Sequence, residues 1–143
     1  MSAASAPPAR GRILVVDDNP IIQRTLQFAL KERGYEVLVA GEIAGALKYV
    51  RQEHPDLILL DINFPPDAST VGGGLRDGFW ALEWMRYLEE IKGIPIIIIS
   101  GDDPATAKPH ALAAGAAAYL HKPINQDELL TLITELIPRR PAA

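Results

Sequence analysis

Apolar residues alternate between two textures along the chain. Five short windows are apolar at nearly every position: RILVVD at Arg12–Asp17, YEVLVA at Tyr35–Ala40, DLILLD at Asp56–Asp61, IPIIIIS at Ile94–Ser100 and AAYLH at Ala117–His121. A strand covered by helices on both faces loses its inside/outside alternation, so short runs of Val, Ile and Leu read as buried parallel strands. Between them apolar residues return every three or four positions, the helical texture. Ile21, Ile22, Leu26 and Leu30 mark a first helix, with Asp18 or Asn19 as its cap, Pro20 in its first turn and Gly34 at its end. Ala44, Leu47 and Val50 mark a second, closed by His54-Pro55; an apolar third runs from about Phe79 to Ile91 and stops at Gly93. A weaker stretch surrounds His110 to Ala114, where Pro109 means either a late start or a broken helix, and Asp127 to Ile137 forms an amphipathic last helix. Strands alternating with helices predict an α/β, doubly wound parallel sheet.

The flanks do not share this texture. Residues 1–11 consist of Ala, Ser, Pro, Gly, Met and Arg and read as a disordered tail, residues 12–137 as one domain, and 138–143 as a C-terminal tail. At 143 residues and 48% hydrophobic, the chain has a core for one domain and no room for a second. Fourteen Lys and Arg against eighteen Asp and Glu leave a net charge of -4 without a basic stripe, so direct nucleic-acid binding is not expected. With no cysteine, disulfides, thiolate zinc sites and cysteine nucleophiles are excluded. The longest apolar stretch, Ile94 to Ile99, is too short to span a bilayer, and MSAASAPPARGR has no apolar signal segment; a cytoplasmic protein without a membrane partner is expected.

In such a sheet the functional crevice lies at the carboxyl ends of the strands. Here those ends are polar: Asp17 and Asp18 after the first strand, Asp61 after the third, Ser100 after the fourth, and Lys122 with Pro123 after the fifth. Three carboxylates brought together repel one another unless some are protonated or a cation neutralises them, and an all-oxygen set suits Mg²⁺, with Mn²⁺ as a substitute. A lysine is no metal ligand, but its ammonium is a point-charge partner for a phosphoryl group, and Ser100 adds a hydroxyl donor. Together they supply what phosphoryl transfer requires: a carboxylate nucleophile, charge neutralisation and a hydroxyl. The adjacent Asp17 and Asp18 read as a metal clamp, which leaves Asp61 as nucleophile. Taken singly, Asp18 could equally be a helix cap and Asp61 the start of a loop. His54, His110 and His121 are scattered without metal spacing and receive no catalytic role.

ILVVDDNP at Ile13–Pro20, DLILLDI at Asp56–Ile62, PIIIISG at Pro95–Gly101 and AGAAAYLHKP at Ala114–Pro123, in this order, resemble the receiver domain of bacterial two-component response regulators. The resemblance implies a flavodoxin-like (βα)5 three-layer sandwich with sheet order 2-1-3-4-5. It implies that Asp61 accepts a phosphoryl group from a histidine kinase or histidine phosphotransfer protein. Asp17, Asp18 and Asp61 with the backbone carbonyl of Asn63 would hold Mg²⁺. Lys122 would pair with the phosphoryl oxygens and Ser100 would move toward them. Tyr119 would be the aromatic switch, unless it is only a partly buried strand residue, and the Lys122–Pro123 bond would be cis. Asn63 and Asp102 occupy positions that tune phosphate lifetime in the family. The implied function is a phosphoacceptor regulator that catalyses only its own phosphorylation and dephosphorylation, as a single-domain response regulator or relay intermediate. The alternative is a phosphorylation-independent pseudo-receiver that works as a binding module. A haloacid-dehalogenase-type phosphatase would need a second acid where Asp61-Ile62-Asn63 has none.

The chain departs from the family pattern between Asp61 and Gly78, where NFPPDASTVGGGLRDG (Asn63–Gly78) reads as an inserted loop modulating donor access or contacting a partner. Its Gly72–Gly74 run lacks the GxxxxGK[ST] pattern of a nucleotide loop. Ala116, Ala117 and Ala118 stand where dimerising members carry acids, which weakens the case for a charged dimer interface. Phe79 and Leu82 read as core; Trp80 and Trp84 are either both core or include one exposed beside the loop.

Overall fold

The computed structural model describes residues 11–61, 91, 93–101 and 103–137. In chain order these form β1 (Arg12–Val16), α1 (Pro20–Glu32), β2 (Glu36–Ala40), α2 (Ile43–Glu53), β3 (Leu57–Asp61), β4 (Ile96–Ser100), α3 (Pro104–Ala113), β5 (Ala118–His121) and α4 (Gln126–Leu136). The expected helix at 79–91 and the inserted loop at 63–78, with Phe79, Trp80, Leu82 and Trp84, lie outside the described residues apart from Ile91, which is buried in the core. Among the described residues no helix is long and apolar enough to cross a membrane.

The continuous apolar runs follow from burial on both faces. Leu14, Val16, Ile58, Leu60, Ile96 and Ile98 point to one side, packing with Ala46, Leu47 and Val50 of α2 and Ala107 and Ala111 of α3. Their chain neighbours Ile13, Val15, Leu57, Leu59, Ile97 and Ile99 point to the other, packing with Leu26 and Leu30 of α1 and Leu129 and Ile133 of α4. Alternate residues thus serve two cores, the period of two being hidden because both sides need apolar atoms. All pairings are parallel in the order β2-β1-β3-β4-β5, with Val15 opposite Val39 on one side and Leu59 on the other. The chain moves outward from β1 to β2, then returns past β1 to β3, so the reversal falls between β1 and β3. In open sheets of this kind the functional crevice lies at the carboxyl ends of those strands.

Local chemistry sets the boundaries and corrects several expectations. Asn19, not Asp18, caps α1: its side-chain oxygen accepts from the backbone N–H of Ile21 at 2.8 Å and of Ile22 at 3.4 Å. Ile21 does not face the core but is 73% exposed, because the buried stripe runs through Leu26 and Leu30 with Ile22 partly buried behind it. In α2 Ala46, and not Ala44, joins Leu47 and Val50. The helix near Pro109 is neither late nor broken: α3 starts at Pro104, where Asp103 accepts from the Ala105 N–H at 3.0 Å, and continues through Pro109. Pro109 takes away only the bond to the Ala105 carbonyl, and both residues lie on the exposed face where water can solvate it. Gly11, assigned to the tail by composition, is buried, and its carbonyl accepts from Glu36 N–H at 2.9 Å at the start of β2.

Candidate functional site

Each β-strand that borders the crevice delivers a polar residue as its apolar run ends. Asp17 follows β1 directly and is 1% exposed, Asp61 is the last residue of β3 and 3% exposed, and Ser100 ends β4 fully buried. Lys122 follows β5, and its N–H bonds to the Ser100 carbonyl at 2.8 Å, continuing the parallel ladder one step beyond the strands. Asp18 is exposed at the lip, free of capping duty because Asn19 performs it. One carboxylate oxygen from each of Asp17, Asp18 and Asp61 lies within 4.8 Å of the other two.

Lys122 Nζ is 3.3 Å from Asp61 Oδ2 and 4.0 Å from Asp17 Oδ2, so one ammonium stands against two buried carboxylates. Asp17 Oδ1 accepts from the Asn19 backbone N–H at 2.8 Å, whereas Asp17 Oδ2 is buried without a hydrogen-bond partner. Burial pushes the Asp17 carboxyl up to about 6; the Asn19 N–H opposes this, Asp61 adds to it, Lys122 opposes it and Asp18 adds again. A buried carboxylate oxygen with no donor is a costly thing to keep. It fits a cation: three carboxylate oxygens within 4.8 Å of one another, one buried without a hydrogen-bond donor and one at the exposed rim, would suit a hard ion such as Mg²⁺.

The backbone around these acids is held closely. Asp17 N–H bonds to the Ala40 carbonyl of β2 at 3.0 Å, and the Gln23 side chain, in the first turn of α1, donates to the Asp17 carbonyl. Sequence reasoning missed Gln23: a glutamine within a helical apolar pattern carries no signal until the turn before the helix is seen folding back over it. Tyr119 is buried and lies opposite Ile98, the strand position two before Ser100. The Lys122–Pro123 bond is cis. The structure therefore brings Asp17, Asp18, Asp61, Ser100 and Lys122 to one sheet edge, while Asn63 and Asp102 lie outside the described residues.

Against known families, residues 13–134 match the response regulator receiver domain. The chain belongs to that family. This receiver domain is 36% identical over 133 residues to the transcriptional regulatory protein KdpE of Mycobacterium tuberculosis, covering 92% of the chain but 53% of KdpE; it spans about half of that relative's length. It is 35% identical over 126 residues to protein PilH of Pseudomonas aeruginosa, covering 88% of the chain and 97% of PilH. Among solved structures it resembles the receiver domain of the sensor histidine kinase PA1611 from Pseudomonas aeruginosa PAO1, which has a magnesium ion coordinated in its active-site cleft. There the TM-score is 0.74 with 28% identity, over 90% of this chain and 98% of that one. Receiver domains bind Mg²⁺ at an acidic pocket and are phosphorylated by histidine kinases; the family comprises signalling regulators. Because relatives include transcriptional regulators, the acidic charge balance does not by itself exclude a nucleic-acid partner.

Proposed function

We propose that this receiver domain is a phosphoacceptor that takes a phosphoryl group onto Asp61 from the phosphohistidine of a histidine kinase or histidine phosphotransfer protein, and changes its partner affinity as a result. On this reading it acts in the cytoplasm as a single-domain regulator, through protein contacts and not by binding nucleic acid. The observation that carries it is the pairing of Lys122 Nζ with Asp61 Oδ2 at 3.3 Å, beside an Asp17 Oδ2 that has no hydrogen-bond donor. A lysine so placed stands beside the attacking carboxylate, where a phosphoryl oxygen would need a cation.

In the transfer an Asp61 carboxylate oxygen forms the new bond to phosphorus as the donor's P–N bond breaks in line, and the released imidazole nitrogen takes up a proton. Lys122 shifts its ion pair from the carboxylate to the phosphoryl oxygens. Asp17 and Asp18 would hold Mg²⁺ together with Asp61, and the family resemblance adds the backbone carbonyl of Asn63. When bound, Mg²⁺ neutralises the charge crowded between the acids and the phosphoryl group. The Ser100 hydroxyl donates to a phosphoryl oxygen, and its displacement makes room that Tyr119 takes up. The inserted loop, next to Asp61 in sequence, modulates donor access or contacts a partner.

Intact mass after incubation with a small phosphodonor and Mg²⁺ tests the reading. One phosphoryl gain is expected, absent in Asp61→Asn and after chelation. No gain in the folded, Mg²⁺-loaded chain would overturn it in favour of a phosphorylation-independent binding module.

A further inference from the structure

We infer that Gln23 is a positioning residue for the metal-binding turn, acting on Asp18 through the peptide unit between Asp17 and Asp18. The inference rests on the reading of these two acids as metal ligands. They occupy consecutive positions but are anchored differently. The Asp17 side chain is fixed by the Asn19 N–H on Oδ1, and its backbone N–H by the Ala40 carbonyl. For exposed Asp18, the plane of the preceding peptide sets where its side chain projects. That plane is held at its carbonyl by the Gln23 carboxamide, which donates to Asp17 O.

Gln23 is well built for this task. Its own N–H closes the first helical bond of α1, to the Asn19 carbonyl at 3.0 Å, so its Cα is fixed relative to the turn it holds. Its side chain is half-buried, and its Nε2 lies beside the loop after β2, 3.6 Å from where a Cβ on Gly41 would stand. The amide is thus confined between the ends of β1 and β2. An apolar residue of the same length would fill the space and leave the Asp17 carbonyl without its donor. The peptide plane could then rotate, which displaces the Asp18 carboxylate while leaving the anchored Asp17 carboxylate in place.

Titration calorimetry with Mg²⁺, beside thermal unfolding of the metal-free protein, separates this role from plain structural support. Gln23→Met should raise the Mg²⁺ Kd about threefold to tenfold, the effect of one lost hydrogen bond expressed in the ligand geometry. Gln27→Met, on the same helix, should leave it unchanged. Gln23→Lys restores a donor of similar reach; at high salt, where its added charge is screened, its Kd should return toward that of the unsubstituted chain measured at the same salt. A Kd in Gln23→Met equal to that of the unsubstituted chain would overturn the inference, whether or not unfolding is affected. Absence of Mg²⁺ binding by the unsubstituted chain would overturn the metal-site reading and the role of Gln23 with it; equal binding in the two chains would remove only the latter.

Discussion

The two ends of one sheet show opposite treatment of charge. At the amino end, Arg12 opens β1 and satisfies its neighbours: its backbone N–H donates to Asp56 Oδ2 at 2.8 Å, its Nε to Glu36 Oε1 at 2.9 Å and its Nη1 to the Glu53 carbonyl at 2.7 Å. Glu36 holds the guanidinium above its ordinary pKa, so the cation is fixed in its charged form. Packing there is close enough that a Cβ on Gly11, at φ +141°, would stand 3.1 Å from Asp56 Oδ2. At the carboxyl end three acids cluster, the two buried ones facing one lysine, and a buried Asp17 oxygen is left without a hydrogen-bond donor. The first arrangement ties β1, β2, α2 and the start of β3 together; the second stores electrostatic cost that a cation can relieve. A sheet edge that serves only stability satisfies its polar atoms internally, whereas one that binds leaves some unsatisfied.

The sharpest way to break the comparison is through Asp17. Its carboxyl is raised from 3.8 to about 6, so between those values the folded state holds a proton that the unfolded state has released. The metal-free protein should therefore lose stability as pH rises through this window, by an amount on the order of 3 kcal/mol, and gain nothing further below pH 3.8. Asp17→Asn should remove that slope, stabilise the metal-free protein at pH 8 by about 1–2 kcal/mol and abolish stabilisation by Mg²⁺. Urea unfolding at pH 4 and pH 8, with and without Mg²⁺, measures all three; a variant less stable than its parent at pH 8 would contradict a strained carboxyl edge.

At the other end the sign reverses. Arg12→Met should cost about 1–2 kcal/mol at both pH values, because it removes two side-chain bonds at a half-exposed site, and leave phosphoryl uptake by Asp61 unchanged. A change in uptake would show that the two ends are coupled. The smallest effect belongs to His54, which ends α2 at the amino side of the sheet with φ 52°, a conformation that favours glycine. His54→Gly should raise stability by about 0.5–1 kcal/mol in the same unfolding assay, the strain relieved being offset in part by a more flexible unfolded chain.

Much of this was legible from residue order. The windows at Arg12, Tyr35, Asp56, Ile94 and Ala117 all became strands within a residue or two, because a strand buried on both faces admits little except β-branched and aliphatic side chains. Helix faces were less legible. Ile21 and Ala44 fit an apolar stripe at helical spacing but lie in solvent, since spacing permits several stripes and only the packing partner selects one. The course of α3 through Pro109 was hidden for the same reason, as a proline is tolerated where its unpaired carbonyl faces water.

By itself, then, the sequence determined which residue types stand at the strand ends, and with them the chemistry available: three acids, a hydroxyl and a lysine, each placed where an apolar run stops. The tertiary structure decided how they are used. Parallel register carried Lys122 from the last strand to within 3.3 Å of Asp61 on the third, and the choice of Asn19 as helix cap released Asp18 to the rim. Folding Gln23 back over the Asp17 carbonyl, and leaving Asp17 Oδ2 without a donor, likewise depend on atoms from separate segments meeting. Side-chain identity is a local property, whereas burial, pairing and the cost of an unmet hydrogen bond exist only once distant parts of the chain exclude water together.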